Sequence, residues 1–181
     1  MSRLFYVLAF VFLMSAPLNA QAQKVVVVDL DRAISQSKAG KNMNSQLEAQ
    51  SKVVQGKVEK IQKDLQAEAS KLEEQRNLMA PDALRIKGEE LRLKQVTKQQ
   101  EISVEARSIQ AGGQEALKKV AEIAVAELKT LSEEKKADIV LRRETVLIVS
   151  PSSDLTDELV ARIDKKITSV KVTPIKDNGK Q

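Results

Sequence analysis

Residues 47–82, LEAQSKVVQGKVEKIQKDLQAEASKLEEQRNLMAPD, decide the fold of this chain. Apolar side chains recur in this stretch at alternating spacings of four and three residues, which places them on two seam positions of one heptad frame. The first position holds Val58, Leu65, Leu72 and Met79, and the second holds Leu47, Val54 and Ile61. The second position turns polar at Glu68 and Gln75. The pattern predicts a long helix with a narrow apolar stripe that thins toward its far end.

Residues 79–82 predict a turn out of this helix. Proline disfavours helical backbone at Ala80 but fits the first turn of a new helix, where Asp82 complements the positive N-terminus. Helix-forming residues then continue to about residue 136. The apolar members of this segment are Leu84, Leu91, Leu93, Val96, Ile102, Ile109, Leu117, Val120, Ala124, Leu128 and Leu131, with a register shift near Val96. Two helices of comparable length predict an antiparallel hairpin arm over residues 39–136, ~60 Å long at ~1.5 Å per residue.

Three glycines interrupt the predicted helices: Gly56 in the first, and Gly112 and Gly113 in the second. A glycine inside a helix costs ~1 kcal/mol relative to alanine, and the three lie at broadly similar distances from the turn. We interpret them as a pivot that lets the arm bend. Close backbone packing, or simple tolerance of glycine, is the alternative interpretation.

The rest of the chain predicts a small β-rich body, formed by residues 23–38 and 137–173. Residues 25–28 are four valines and predict a strand, while residues 138–142 and 145–149 predict a β-hairpin. Residues 152–154 precede an amphipathic helix over 155–167 that has an acidic first turn and a basic last turn. Residues 174–181 predict a loose polar tail. The fold class is therefore α+β and mostly helical.

A body of about sixty residues is marginally stable at best by itself, and the open edges of its strands favour pairing with other chains. We therefore expect oligomerisation to complete it, with the arms projecting, although this reasoning does not determine the stoichiometry. The apolar residues expected in the shared core are Val26, Val28, Ile139, Leu141, Val146 and Ile148.

Residues 1–22 predict a signal peptide for export. Arg3 is a short basic segment, residues 4–14 are apolar, and the Ala-Gln-Ala sequence at 20–22 predicts cleavage after Ala20 or Ala22. An uncleaved anchor is the alternative, but the apolar run is shorter than the ~20 residues that span a bilayer.

Composition excludes several classes of function. The chain has no His, Cys or Trp, and its few aromatic residues lie in the predicted signal peptide: Phe5, Tyr6, Phe10 and Phe12. The common zinc sites and the Ser-His and Cys-His nucleophiles are therefore excluded, and the mature chain lacks side chains on which bases could stack. We predict no metal, no cofactor and no nucleic-acid partner. The formal net charge of +5 favours acidic partners, such as anionic lipid or an acidic client, or serves solubility alone.

Asp29 and Asp31 have the Asp-x-Asp spacing of the nucleophile loop in haloacid-dehalogenase-type phosphohydrolases. That family needs Thr or Ser two residues further on, where this chain has Ala33, and a doubly wound sheet, where this chain has a helical hairpin. We therefore predict no catalytic residue and no enzyme. Asp29 or Asp31 instead ends the strand and caps the following turn.

Several segments together resemble the Skp/OmpH family of periplasmic chaperones. They are Val-Val-Asp-Leu-Asp-Arg at 27–32, Ser-Gln-Ser-Lys-Ala-Gly-Lys at 35–41, the long hairpin, and Asp-Leu-Thr at 154–156. The resemblance implies a homotrimer with helical arms around a cavity, which holds unfolded outer-membrane proteins in the periplasm without ATP. The absence of aromatic residues from the mature chain and the Gly112-Gly113 pair depart from the family pattern.

The tip of the arm is the predicted client-binding region. Its basic residues Arg76, Arg85, Lys87, Arg92, Lys94 and Lys98 outnumber the acidic residues Asp82, Glu89 and Glu90. They are expected to attract acidic clients, anionic lipid or lipopolysaccharide, or to form an ordinary solvated face. The apolar residues expected to contact clients, or to clasp the turn, are Leu78, Met79, Leu84 and Ile86. The alternative function is that of a structural or adaptor coiled-coil hairpin in the cell envelope.

Overall fold

The computed structural model describes residues 23–175. The predicted signal peptide and residues 176–181 of the predicted tail lie outside this range. The elements in chain order are β1 (Val25–Val28), α1 (Leu30–Gln36), α2 (Lys38–Glu74), a 3-10 turn (Arg76–Leu78), α3 (Pro81–Glu134), β2 (Ile139–Arg142), two further 3-10 turns (Arg143–Thr145 and Pro151–Ser153) and α4 (Thr156–Lys166). The fold is mostly helical with one small strand pair.

Helices α2 and α3 form the antiparallel hairpin. In the outer half of α2, the predicted seam residues are half-buried and the intervening positions are exposed. Ion pairs link the two helices at successive levels, between Lys57 Nζ and Glu105 Oε1 (2.6 Å) and between Lys94 and Glu68. The prediction of comparable lengths was wrong, because α2 has 37 residues and α3 has 54. Helix α3 is longer because its C-terminal part continues into the body and packs against α4.

The register expected for α3 was partly wrong. Leu93 and Val96 are each 53% exposed and Leu117 is 43% exposed, so these residues lie off the seam. The half-buried positions between the tip and Ile102 instead include Gly88 and Lys98. A seam that includes glycine and lysine buries little apolar surface. Because these residues occupy seam positions, Leu93 and Val96 lie on the outside of α3.

The body is built around a two-stranded parallel sheet. Strand β1 pairs with β2 from Val25 opposite Ile139 to Val28 opposite Arg142. On the other side of β1, Leu155 N donates to Val27 O at 2.9 Å. The first strand begins and ends where the sequence predicted it, and an isolated parallel bridge between Val27 and Asp154 adjoins it on this second side.

The predicted β-hairpin over residues 138–149 was wrong. Residues 139–142 do form a strand, but residues 145–149 do not. Arg143 and Glu144 lack the positive φ angles that a two-residue hairpin turn favours. The chain instead makes a 3-10 turn, closed by hydrogen bonds from Thr145 Oγ1 to Arg142 O and from Arg143 Nη1 to Val146 O, both 2.7 Å.

The core of the body collects side chains from β1, α1, α4 and the inner ends of α2 and α3. Its most buried large residues are Val26, Val120, Leu131, Leu159 and Ile163. All five are aliphatic, so the core is packed without a single aromatic ring.

The segment 35–41 makes the tight connection between α1 and α2. Ser37 Oγ donates to Ile34 O (2.7 Å) and accepts from Gly40 N (3.0 Å), which caps α2. A Cβ on Gly40 would lie 2.0 Å from Ile34 O, so this position requires glycine. The motif that carries part of the family resemblance therefore has a structural role in directing the arm away from the body.

Candidate functional site

The outer part of the arm, residues 53–108, exposes aliphatic side chains along α3. Ile86 (50%), Leu93 (53%), Val96 (53%) and Val104 (39%) are all substantially exposed. At 100° per residue, Ile86, Leu93 and Val104 fall within ~20° of one another, and Val96 lies ~60–80° to one side. We call these four residues the α3 stripe. It runs ~27 Å along the helix, at ~1.5 Å per residue.

The four apolar tip residues divide into two pairs. Leu78 (86%) and Ile86 (50%) are exposed and can meet a ligand directly. Met79 and Leu84 are half-buried at the start of the hairpin turn. Leu93, Val96 and Val104 were missing from the predicted site, since the heptad reading placed Leu93 and Val96 in the seam. Their spacing from Ile86 on a helical projection was the signal that would have found them.

Most of the basic residues at the tip are paired with neighbouring acids. Arg76 contacts Glu73 (3.2 Å), Arg92 contacts Glu89 (2.6 Å), and Lys94 contacts Glu68. The hydrogen bond from Arg92 lowers the pKa of Glu89, with the positive charge of Arg92 adding to the effect.

Within residues 23–175, Arg85 and Lys87 form no ion pair that could offset their charge. The tip therefore has fewer cations without an acidic partner than its composition indicated.

The three glycines have different surroundings. Gly56 is exposed, and a Cβ there would meet nothing within 4 Å. Gly112 and Gly113 are buried, and a Cβ on them would lie 2.3 Å from Thr173 O and 3.0 Å from Leu47 Cδ2, respectively. Close packing therefore accounts for Gly112 and Gly113, while the pivot stays a prediction for which Gly56 has the most room.

The six residues expected in a shared core occupy two different environments. Val26 and Val28 are 1% and 3% exposed, so they belong to the core of a single chain. Ile139 (40%), Leu141 (39%) and Ile148 (90%) are exposed, and Val146 is half-buried. Leu147, which was not among the predicted residues, is 98% exposed. Strand β2 and the segment that follows it in the chain thus expose several aliphatic side chains.

Asp154, Thr156 and Asp29 join the start of α4 to the end of β1. Thr156 Oγ1 donates to Asp154 Oδ1 (2.5 Å) and accepts from Asp29 N (2.9 Å), and Thr156 N also donates to Asp154 Oδ1 (2.9 Å). Burial raises the pKa of Asp154, but the hydrogen bonds from Thr156 and the nearby guanidinium groups outweigh burial and lower the pKa overall. The Asp-Leu-Thr motif thus links the start of α4 to the end of β1 by hydrogen bonds.

Asp29 has the capping role that the sequence predicted for one of the two aspartates. Asp29 Oδ1 accepts from Arg32 N (2.8 Å) and caps α1, while Asp31 contacts Arg142 (3.4 Å). No cluster of three or more carboxylates that could hold a metal ion occurs among residues 23–175. In the same part of the chain, no helix is both long and apolar enough to cross a membrane.

The fold and its exposed surfaces define a class of protein: a small body that carries one long helical arm with aliphatic side chains on its outside. The family model for OmpH-like outer membrane proteins matches residues 24–163, and the chain belongs to this family. Membership confirms the resemblance seen in the sequence and supports a chaperone role. The family is in general non-enzymatic.

One solved structure shares the fold along nearly its whole length. It is that of an OmpH-like protein from Caulobacter crescentus, which aligns with a TM-score of 0.81 and 22% identity over 91% of this chain and 98% of the other. At this identity the likeness shows the common fold. A search of curated proteins found no match.

Proposed function

We propose that this chain is an ATP-independent holdase of the periplasm. The predicted signal peptide directs its export to this compartment. It binds unfolded outer-membrane proteins in a cavity between the arms of a homotrimer and prevents their aggregation before membrane insertion. The observation that carries the proposal is the α3 stripe, a row of half-exposed aliphatic side chains on an arm that stands clear of the body.

The chemistry of the stripe suits such clients. Strands of outer-membrane barrels are apolar on alternate residues and aggregate when they are exposed to water. Each stripe residue offers a small contact, and several arms around one client multiply weak contacts into useful affinity while each contact still exchanges. Client release then requires only that insertion into the membrane is more favourable than the held state. The half-exposed side chains support this kind of weak binding better than tight binding.

The surface of the body supports the homotrimer. Within the described residues β2 pairs on one side only, and Ile139, Leu141, Leu147 and Ile148 are exposed around it. An open strand edge next to aliphatic side chains is a site where a further copy of the chain can pair. Assembly would bury these residues and place the arms around a common space. Anionic lipid, including lipopolysaccharide, is a further expected partner through Arg85 and Lys87.

The function is tested by the light scattering of a urea-unfolded outer-membrane barrel protein that is diluted into buffer with and without the mature chain, with no ATP present. We expect scattering to be suppressed at a saturating ratio of three chains per client. Because the mature chain has no aromatic residue, tryptophan fluorescence reports the client alone and gives an independent binding curve. Unchanged scattering with a folded chain would instead favour the structural or adaptor hairpin, whose partner is a folded protein.

The α3 stripe is tested by the double variant Ile86→Ser/Val104→Ser. We expect client affinity to fall about 3- to 10-fold, because two partly buried aliphatic contacts contribute roughly 1 kcal/mol together. The measurement is the tryptophan titration of the client. A matched control is Leu117→Ser/Val125→Ser, which changes two residues of the same helix with similar exposure (43% and 53%) outside the outer arm. Equal losses in the two variants would contradict the assignment of the stripe.

A further inference from the structure

Residues 170–175 form an extended segment that lies along the base of the hairpin, and we call it the strap. It follows α4 and runs beside α2 and α3, with Val170 and Val172 packed into the core of the body. Val170 and Val172 are buried, at 8% and 3% exposed, whereas Lys171 and Thr173 face outward. The first two residues of the predicted loose tail, Pro174 and Ile175, belong to this segment.

Glutamine side chains of α2 hold the backbone of the strap. Gln46 Nε2 donates to Val170 O (2.7 Å), and Val172 N donates to Gln46 Oε1 (3.0 Å). Gln50 Nε2 donates to Val172 O (3.1 Å). The amide of Gln46 thus satisfies a carbonyl and an N–H two residues apart, as a neighbouring β-strand would, which specifies an extended conformation.

The other side of the strap contacts α3. Ile175 N donates to Ser108 O (3.0 Å), so the strap reaches across from α2 to α3. Thr173 O lies so close to α3 that a Cβ on Gly112 would be 2.3 Å from it. A distance this short to a backbone atom cannot be relieved by a side-chain rotation. Gly112 therefore creates the space in which the strap lies.

We propose that the strap clamps α2 and α3 together at the base of the arm and sets the level at which the arm can bend. Below this level, α3 is packed into the body through Ala116, Val120 and Ala124, all at most 1% exposed. Above it, the helices are joined by a half-buried seam and by solvent-accessible ion pairs such as Lys57–Glu105, which contribute little. Gly56 is open to solvent at this level. The arm bends immediately beyond the strap, where Gly56 lies. The 28 residues from Pro81 to Ser108 make the moving part ~40 Å long.

The strap is tested in the full chain by Gly112→Ala, with Gly56→Ala as the matched control. Both changes add one methyl group to an arm helix and raise its intrinsic helix propensity, but only the first collides with the strap. In Gly112→Ala, hydrogen exchange of the amides of Val172 and Ile175 should be at least ~10-fold faster, since these amides lose their fixed partners on α2 and α3. In Gly56→Ala their exchange should be unchanged.

Arm motion is measured with two spin labels on cysteines introduced at Asn77 and Lys165, which are exposed at the tip and on α4. The chain has no cysteine of its own, and dilution with unlabelled chain isolates distances within one chain. The distance distribution should be broader in each of three strap variants: Gly112→Ala, Gln46→Leu and a chain that ends at Ser169. It should not be broader in Gly56→Ala.

Unchanged distributions in all three strap variants would overturn the proposal. The Gln46→Leu variant and the shortened chain keep the test decisive if Gly112→Ala does not fold. No client is present in either measurement, so the outcome is independent of the holdase proposal.

Discussion

Replacing Leu159 by alanine lowers the free energy of unfolding by about 2–5 kcal/mol, the range for deleting a fully buried leucine side chain. Leu159 is 0% exposed and lies on the face of α4 that packs against α1 and α3. The body is small and the apolar side chains of its core are all aliphatic, so little else compensates for the cavity. A loss of this size is a large fraction of the stability of a small domain, and we expect the body of this variant to unfold partially at physiological temperature.

The measurement is urea denaturation followed by far-ultraviolet circular dichroism, at one protein concentration because assembly affects apparent stability. The matched control is Leu93→Ala, which deletes the same atoms from a side chain that is 53% exposed on the arm. We expect this control to change the free energy of unfolding by less than ~0.5 kcal/mol. An equal loss of unfolding free energy in both variants would contradict the conclusion that Leu159 is a central residue of the core.

The second large effect is expected from Leu147→Asp/Ile148→Asp. These residues are 98% and 90% exposed in the single chain, so the substitutions cost little in an isolated copy. In the proposed homotrimer they would place carboxylates in an apolar interface, where an unpaired charge is strongly unfavourable. We therefore expect the assembly to dissociate into single chains, measured as a threefold fall in mass by light scattering coupled to size-exclusion chromatography.

The control for this variant is Leu93→Asp/Val96→Asp, which adds the same charges to the α3 stripe. The two variants should show opposite defects. The body variant should lose mass, whereas the arm variant should keep its mass and lose protection of the client. A body variant with the mass of the wild type would show that the exposed segment around Leu147 and Ile148 lies outside the interface.

Part of the candidate site was predictable and part was not. Leu78 and Ile86 were selected because they stand beside the turn, and both are exposed. Leu93 and Val96 were assigned to the seam because they are apolar, but a register that admits Gly88 and Lys98 turns them outward. Near a change of register, an aliphatic residue can lie either in the seam or on the exposed face of the helix. Only the contact with the partner helix decides between the two positions.

The sequence by itself determined the elements whose signals are local. Four features depend on residues only a few positions apart: the heptads of residues 47–79, the proline at the start of α3, the valine strand and the Asp29 cap. Their periodicity and capping chemistry were therefore sufficient to predict them. Only the tertiary structure shows that Ile139–Arg142 pairs in parallel with Val25–Val28, and that Gly112 packs against the carbonyl of Thr173. These contacts join residues about 60 to 115 positions apart, and they form because packing brings together backbone groups that no local pattern connects.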